Sequence, residues 1–134
     1  MRRMKFVVEH IGLPSQSPTV LQEWYVRVLG AEMVWQDATI PLYFVKLAGG
    51  LVLEIGPCKR VVEDVGDNSV AGIRHFALQV ESIEVAKKEL EARGVVFTEP
   101  VKPAGGGGSV LFFKDAEGNL LHFVERPAGS VFKK

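Results

Sequence analysis

The stretch SVLFFKDAEGNLLHFVER, residues 109–126, decides the fold. It joins two apolar runs, rich in β-branched and aromatic residues, through a segment of acidic residues, glycine and asparagine. This pattern predicts a β-hairpin with its turn at 115–119. Strand alternation places His122 between Leu120 and Val124 on one face. A histidine in that position is either a core residue satisfied by a hydrogen bond or a ligand, because unpaired polar groups in cores are costly.

Length and composition indicate a single globular domain over residues 1–134. The chain is 47% hydrophobic, which is enough to bury a core. Its 16 basic and 16 acidic residues balance, so neither nucleic acid nor an anionic membrane is expected as a partner. No segment has transmembrane length or the character of a secretory signal, and the single cysteine, Cys58, cannot form an internal disulfide. We therefore expect a cytoplasmic protein.

The first half of the chain reads as a strand, a helix and three further strands. The first strand is expected at 5–13 and contains His10. The helix is expected to have Ser17 as its N-cap, Pro18 as its first residue and Gly30 at its end. The three strands that follow are predicted at 31–36, 41–47 and 51–55.

The second half repeats this order of elements. A strand at 72–80 carries His75, and a helix capped by Ser82 extends through Arg93. The remaining strands are predicted at 95–98, 109–114 and 120–125. A loop at 100–108 precedes the hairpin, and mobility is the expected reason for its four consecutive glycines.

The spacing of corresponding residues also indicates an internal duplication. His10 precedes His75 by 65 positions, and Glu54 precedes His122 by 68. We therefore predict an α+β fold of two βαβββ modules that form a cupped mixed sheet with the helices on its outer face. The modules and their connection are expected at about 4–56, 72–127 and 57–71.

Each module contributes a histidine on its first strand and a potential metal ligand on its last strand. The two pairs are His10 with Glu54, and His75 with His122. A buried carboxylate in LVLEI is costly unless it is paired or coordinated. If equivalent strands lie side by side and curl, the four side chains converge on one face. Three imidazoles and one carboxylate suit zinc, nickel, iron(II) or manganese, whereas a structural ion pair and four separate core residues are the alternatives.

These residues resemble those of a known superfamily. The chain is similar to the vicinal oxygen chelate proteins, which include glyoxalase I, bleomycin-resistance proteins and extradiol dioxygenases, in the motifs YVRVLGAE, LVLEI, IRHFALQVES and FFKDAEGNLLHFVE. The resemblance spans nearly the whole chain. It implies paired βαβββ modules and often a homodimer with its sites at or near the subunit interface. Carried over by position, it makes His10, Glu54, His75 and His122 the metal ligands.

Two positions depart from the superfamily's pattern. Its acidic-proline-acidic-glycine turn has Ala116 in place of the proline, and His122 stands where glyoxalase I usually has a glutamate that serves as ligand and base. With Glu54 as the only carboxylate, the site keeps a positive charge, which favours anionic oxygen ligands. Glu54 or a metal-bound hydroxide would then be the base. Glu125 is expected on the opposite face as a surface or ion-paired carboxylate.

Several functions follow from this resemblance. The leading hypothesis is a metal-dependent isomerase or lyase that acts through an enolate-type anion on a small chelating substrate, with Glu54 as catalytic residue. An extradiol-type dioxygenase is an alternative, although the carboxylate then lies on an unexpected strand. A non-catalytic protein that binds an aromatic antibiotic or metabolite is another, and a vestigial metal site is a third. The aromatic wall of a binding protein would come from Trp24, Trp35, Tyr43, Phe44 and Phe112.

Overall fold

The computed structural model describes residues 5–133. The predicted start of the first module at residue 4 therefore lies outside the described residues. The chain divides into two compact units, and the boundary between Val61 and Val62 falls inside the predicted connection. Each unit is a βαβββ module with a mixed sheet, so the predicted α+β class and its two βαβββ modules are confirmed. In the described part of the chain, neither helix is long and apolar enough to cross a membrane.

The first unit packs one helix on a four-stranded sheet. Its elements are β1 (Ile11–Ser15), α1 (Pro18–Leu29), β2 (Glu32–Gln36), β3 (Tyr43–Lys46) and β4 (Val52–Pro57). The strand order is β1-β4-β3-β2, with β1 parallel to β4 and the other pairs antiparallel. Helix α1 follows Ser17, as predicted, although the Ser17 side chain makes no capping hydrogen bond. Its buried stripe is Leu21, Tyr25 and Val28, which helical periodicity places on one face.

The second unit repeats this arrangement. Its elements are β5 (His75–Gln79), α2 (Ile83–Ala92), β6 (Lys102–Pro103), β7 (Ser109–Lys114) and β8 (Leu120–Glu125). The order β5-β8-β7-β6 matches that of the first sheet, including the parallel pair of first and last strands. Helix α2 contacts β7 and β8. Leu111, Phe113 and Leu121 are buried in the core of this unit.

The hairpin of β7 and β8 has the bounds that the sequence predicts. Asp115 is buried at its turn, and its Oδ1 accepts the backbone N–H groups of Glu117 and Asn119 at 2.9 and 3.0 Å. Gly118 has a φ of 87°, a conformation that favours glycine. Because Asp115 organises the turn, the proline that Ala116 replaces is not needed to form it.

The start of α2 is capped by two side chains. Ser82 is the N-cap, as predicted, and its Oγ accepts the backbone N–H of Val85 at 3.2 Å. Glu125 on β8 also reaches this end of the helix, because its Oε1 accepts the N–H of Ile83 at 2.8 Å. A carboxylate at a helix N-terminus satisfies an otherwise unpaired donor and interacts favourably with the helix dipole. Glu125 therefore supports the fold, away from the face that carries His122.

Strand β1 starts later than predicted. It begins at Ile11 rather than at residue 5, because β1 lies at the edge of the sheet and its one neighbour, β4, begins at Val52. The first paired residues are Ile11 and Leu53. Pro14 lies within β1, where an edge strand tolerates the missing N–H. Apolar alternation at 5–10 therefore misled the prediction, since a strand also needs a partner.

The predicted strand at 95–98 is also wrong. The strand paired with β7 is β6, whose Lys102 and Pro103 lie inside the predicted loop and pair with Val110 and Ser109. Phe97 explains the apolar pattern upstream, because its ring centroid lies 5.6 Å from that of Phe113. The segment thus contributes to the core through a side chain without joining the sheet.

The glycine-rich loop is packed against the end of β8. Arg126 Nη1 donates hydrogen bonds to the carbonyl oxygens of Gly105 and Gly107 at 2.6 and 2.8 Å. A side chain at Gly108 would collide with the carbonyl oxygen of Glu125, and one at Gly106 would lie 2.6 Å from the ring of Phe132. Close approach of neighbouring groups therefore explains these two glycines.

Candidate functional site

His10 and Glu54 lie together in the first unit. Glu54 on β4 pairs with Gly12 on β1. His10 lies immediately before β1 rather than on the first strand as predicted, because β1 begins at Ile11. The His10 Nε2 and Glu54 Oε1 atoms are 3.7 Å apart, and the two side chains are 34% and 36% exposed. The expectation of a fully buried Glu54 is therefore wrong. Its neighbours in the strand, Leu53 and Ile55, are the buried residues, so Glu54 faces away from the core.

The His10 ring is oriented by two neighbours. Its Nδ1 lies 2.9 Å from Glu9 Oε1, and because an ionised carboxylate only accepts hydrogen bonds, Nδ1 carries the proton in this contact. The ring also meets Phe44 edge-on, with centroids 5.4 Å apart at 84°. Phe44 is paired with Glu54 across the sheet. These contacts leave Nε2 directed towards Glu54.

His75 and His122 form the equivalent pair in the second unit. His122 on β8 pairs with Ala77 on β5, so alternation places His75 on the same face. The two imidazole centroids are 5.0 Å apart. Phe112, opposite His122 on β7, contacts both rings at centroid distances of 4.8 and 5.9 Å. Phe112 thus occupies the place that Phe44 has in the first unit.

Both histidines of the second unit also use Nδ1 for a hydrogen bond. His122 Nδ1 donates to the carbonyl oxygen of Phe123 at 2.9 Å, and His75 Nδ1 lies 2.7 Å from Asn68 Oδ1. Burial lowers the pKa of His122, with smaller lowering contributions from His75 and Arg126, against the hydrogen bond to Phe123, which raises it. The lowered pKa favours the neutral imidazole of His122, which is the form that binds metals.

The donor set fits a divalent transition metal. In all three histidines an oxygen acceptor lies beside Nδ1, which leaves Nε2 as the nitrogen available to a metal, a common arrangement around metal sites. Two ligands at about 2.1 Å from one ion lie roughly 3 to 4 Å apart, and the 3.7 Å between His10 and Glu54 falls in this range. Among the described residues, neither unit holds a group of three or more potential ligands. The convergence of all four stays a prediction.

An apolar cavity lies beside the first pair. It has a volume of about 360 Å³ and is lined by Glu9, Val34, Trp35, Phe44 and Val52. The rings of Trp35 and Phe44 meet at a centroid distance of 5.7 Å, and Trp35 is 50% exposed. Two of the lining residues contact His10: Phe44 through its ring and Glu9 through a hydrogen bond to Nδ1. The cavity therefore adjoins the candidate ligands of the first unit.

Two of the five predicted aromatic wall residues line this cavity, and three do not. Trp24 lies on α1 and packs against Tyr25 at 5.0 Å, and the hydroxyl of Tyr43 is 2.7 Å from Thr19 Oγ1 on the same helix. Phe112 belongs to the histidine pair of the second unit. A register shift between Met33 and Trp35 in β2 changes the alternation there, so strand parity alone could not identify the lining residues.

Few local features of the chain indicated which side chains hold the histidines. Glu9 interrupts an apolar run next to His10, which is a local signal for a polar role. Asn68 lies in the connection between modules, where neither periodicity nor a motif distinguishes it. Its contact with His75 depends on how that connection folds back.

Comparisons with known proteins identify the family. A family model described as Glyoxalase/Bleomycin resistance protein/Dioxygenase superfamily matches residues 7–123. A glyoxylase/bleomycin resistance protein/dioxygenase domain from Frankia sp. EAN1pec is 24% identical, with a TM-score of 0.72 over 94% of this chain and 96% of that one. No curated protein matches the sequence significantly.

Two further solved structures share the fold at lower identity. The fosfomycin resistance protein FosX from Listeria monocytogenes, complexed with Mn(II) and sulfate ion, is 20% identical, with a TM-score of 0.71 over 93% of this chain and 94% of FosX. TioX from Micromonospora sp. ML1 is 16% identical, with a TM-score of 0.64 over 93% of this chain and all (100%) of TioX. Given the extent of the family match and the two βαβββ modules, the chain belongs to the glyoxalase/bleomycin resistance protein/dioxygenase superfamily.

Proposed function

We propose that the protein is a metal-dependent isomerase or lyase that acts on a small substrate with adjacent oxygen atoms. The observation that carries this proposal is the equivalent placement of two ligand pairs, with the Nδ1 of every histidine held by an oxygen acceptor. The ion, taken to be zinc, nickel, iron(II) or manganese, would be held by His10, Glu54, His75 and His122. The Mn(II) complex of FosX, a protein of the same fold, supports a divalent ion in such a framework.

Glu54 is the residue that we assign as base. A bound divalent ion would supply positive charge that polarises the adjacent oxygens of a substrate. Glu54 is the only carboxylate among the four candidate ligands, and its partial exposure leaves it accessible to a substrate. A carboxylate beside a carbonyl-activated carbon accepts its proton, and a positioned base of this kind contributes about 10²- to 10⁴-fold. Glu54 Oε1 would therefore hold the proton between its removal and return.

A site with all four ligands needs the ligand pairs of both modules. We propose a homodimer in which a pair from one module meets a pair from the other. Large apolar side chains are exposed near His10 and His75 in the chain: Phe6, Val7 and Val8 are 75%, 88% and 80% exposed, and Ile73 is 85% exposed. Such residues suit burial against another chain. Mixing His10→Ala with His75→Ala protein regenerates an intact site if the two pairs come from different chains, and none if they come from one. Sedimentation of the wild type measures the oligomeric state.

Elemental analysis of protein purified without chelator tests the proposal. Glu54→Gln and His75→Ala should lower both metal content and turnover. Glu84→Gln is the matched control, since its side chain is 81% exposed on α2. Turnover would be sought with hemithioacetals, 2-oxo acids, catechols and acyl thioesters. An active, metal-free His75→Ala protein would rule out the scheme, and oxygen consumption with a catechol and iron(II) would instead favour a dioxygenase.

A second candidate function is binding of an aromatic compound without its transformation. The apolar cavity with Trp35 and Phe44 favours it, because cavities of about 300–1,000 Å³ with aromatic walls hold small ligands. Metal-free protein that binds a planar aromatic compound, and turns over none of the substrates, would favour this function over the first.

A further inference from the structure

We propose that Asn68 is a positioning residue that fixes the tautomer and the ring orientation of His75, so that Nε2 is presented as the ligand atom. This inference rests on the proposed metal-binding function. Its basis is the 2.7 Å contact between Asn68 Oδ1 and His75 Nδ1. An amide oxygen accepts hydrogen bonds, so the proton of a neutral His75 lies on Nδ1 and the lone pair lies on Nε2.

The turn that carries Asn68 is internally braced. Asp67 Oδ1 accepts the backbone N–H of Ser69 at 2.9 Å and the Ser69 hydroxyl at 2.6 Å. These bonds form a turn around Asn68 in which the Asp67 carboxylate accepts the hydrogen bond that a backbone carbonyl accepts in an ordinary turn. The backbone on both sides of Asn68 is therefore held in a defined turn.

The segment before Asn68 is tied to the rest of the second unit. Arg74, the neighbour of His75, donates from Nη1 to the carbonyl oxygen of Asp64 at 3.2 Å and lies 3.9 Å from the Asp64 carboxylate. Gly66 packs against the hairpin turn, where a side chain would collide with the carbonyl oxygen of Gly118. Gly66 also has a φ of 81°, which favours glycine. Both contacts hold the connection against the sheet that carries His75 and His122.

A neutral acceptor distinguishes His75 from its equivalent in the first unit. His10 Nδ1 contacts the carboxylate of Glu9, whose side chain is 86% exposed, whereas His75 contacts an amide. A carboxylate favours the charged imidazolium more than an amide does, because it adds a Coulombic attraction to the hydrogen bond. An amide holds the same tautomer without that added charge. Partners of this kind typically contribute about 10- to 100-fold to metal affinity.

The test combines metal affinity with the tautomer of His75 in the metal-free protein. Zn(II) dissociation constants would be measured by competition with a chelator, and the tautomer by long-range ¹⁵N–¹H spectra at about pH 8, where imidazoles are neutral. Asn68→Ala should weaken Zn(II) binding about 10- to 100-fold and shift His75 towards the Nε2–H tautomer. Asn68→Asp keeps an acceptor and should preserve the tautomer. Glu63→Ala, an exposed residue in the same segment, is the matched control for general loosening.

The two readouts separate the failure of this inference from the failure of the proposed function. An unchanged His75 tautomer in Asn68→Ala overturns the role of Asn68, whatever the metal content. Equal losses of affinity in Asn68→Ala and Glu63→Ala also overturn it. Absence of stoichiometric Zn(II) binding by the wild type instead overturns the proposed function. Rescue of both tautomer and affinity by Asn68→Asp supports positioning over a merely structural role.

Discussion

Glu54 and His122 are equivalent residues of the two modules. Each lies on the last strand of its module and pairs across the sheet with a phenylalanine, Phe44 for Glu54 and Phe112 for His122. Each also pairs with a residue of the parallel first strand that lies two positions after a histidine. For Glu54 the paired residue is Gly12 and the histidine is His10. For His122 the paired residue is Ala77 and the histidine is His75. At this equivalent position one module has a carboxylate and the other an imidazole. The formal charge of a metal site built from them depends on this exchange.

Replacement of His122 tests the charge of the site. His122→Glu would balance a divalent ion with two carboxylates, so Zn(II) should stay bound while inorganic phosphate binds the Zn(II)-loaded protein more weakly than it binds the wild type. His122→Gln removes a ligand without adding charge and should weaken Zn(II) binding by at least about 10-fold. Calorimetry with Zn(II), then phosphate, measures both effects. Equal phosphate affinities for wild type and His122→Glu would contradict the charge argument.

Local patterns were sufficient to predict the hairpin, the two helices and the proximity of the two candidate ligands within each module. Apolar alternation, the acidic turn at Asp115 and the cap at Ser82 all act over a few residues, and the structure has them where the sequence predicts them. Parity along β8 and β5 also places His122 and His75 on one face. The duplication strengthened each assignment, because each element could be compared with its counterpart.

Contacts between distant residues were not predictable in this way. The start of β1 depends on where β4 begins, and the pairing of β6 with β7 leaves Phe97 outside the sheet despite its apolar neighbours. The contact of Asn68 with His75 requires the connection to fold back, which no periodicity encodes. The relation between the two ligand pairs is of the same kind, because alternation within a strand fixes faces inside a module and nothing beyond it.

Gly108→Ala should destabilise the fold through the end of β8. Gly108 has a φ of 98°, and a side chain there would collide with the carbonyl oxygen of Glu125. We expect the free energy of unfolding in urea to fall by at least about 2 kcal/mol. Gly105→Ala is the matched control, because nothing lies within 4 Å of its added carbon, and it should change stability by less than about 0.5 kcal/mol. A loss below about 0.5 kcal/mol in both variants would show that a side chain at Gly108 is tolerated.

Asp37 should make the stability of the protein depend on acid pH. Its Oδ2 accepts the N–H groups of Thr39 and Ile40 and the Thr39 hydroxyl. These bonds lower the pKa of Asp37 below 3.8, and the bond from the Thr39 N–H contributes most. The unfolded carboxyl therefore binds its proton at a higher pH than the folded one, so the stabilisation is present above the unfolded pKa and is lost as pH falls through the folded pKa.

Two measurements check the Asp37 prediction. An NMR titration of its side-chain carboxyl should give a native pKa under the 3.8 of a free aspartate. Urea midpoints measured between about pH 5 and pH 2 should fall less steeply for Asp37→Asn than for the wild type, since asparagine does not titrate. A native pKa at or above the free value would show that the three hydrogen bonds do not hold the turn in solution.

Trp35 should report the occupation of the apolar cavity. The chain has two tryptophans, so in Trp24→Phe protein the fluorescence comes from Trp35, which is half exposed beside Phe44. Titration with 2-naphthol should quench this emission, because a planar ring that enters the cavity stacks on the indole.

Trp35→Ala should weaken 2-naphthol binding about 10-fold by calorimetry, since an aromatic contact contributes on the order of 1 kcal/mol beyond area burial. Trp24→Phe is the control and should retain wild-type affinity, because Trp24 packs against Tyr25 on α1 rather than lining the cavity. Equal losses of 2-naphthol affinity in both variants would show that the binding site is not at Trp35.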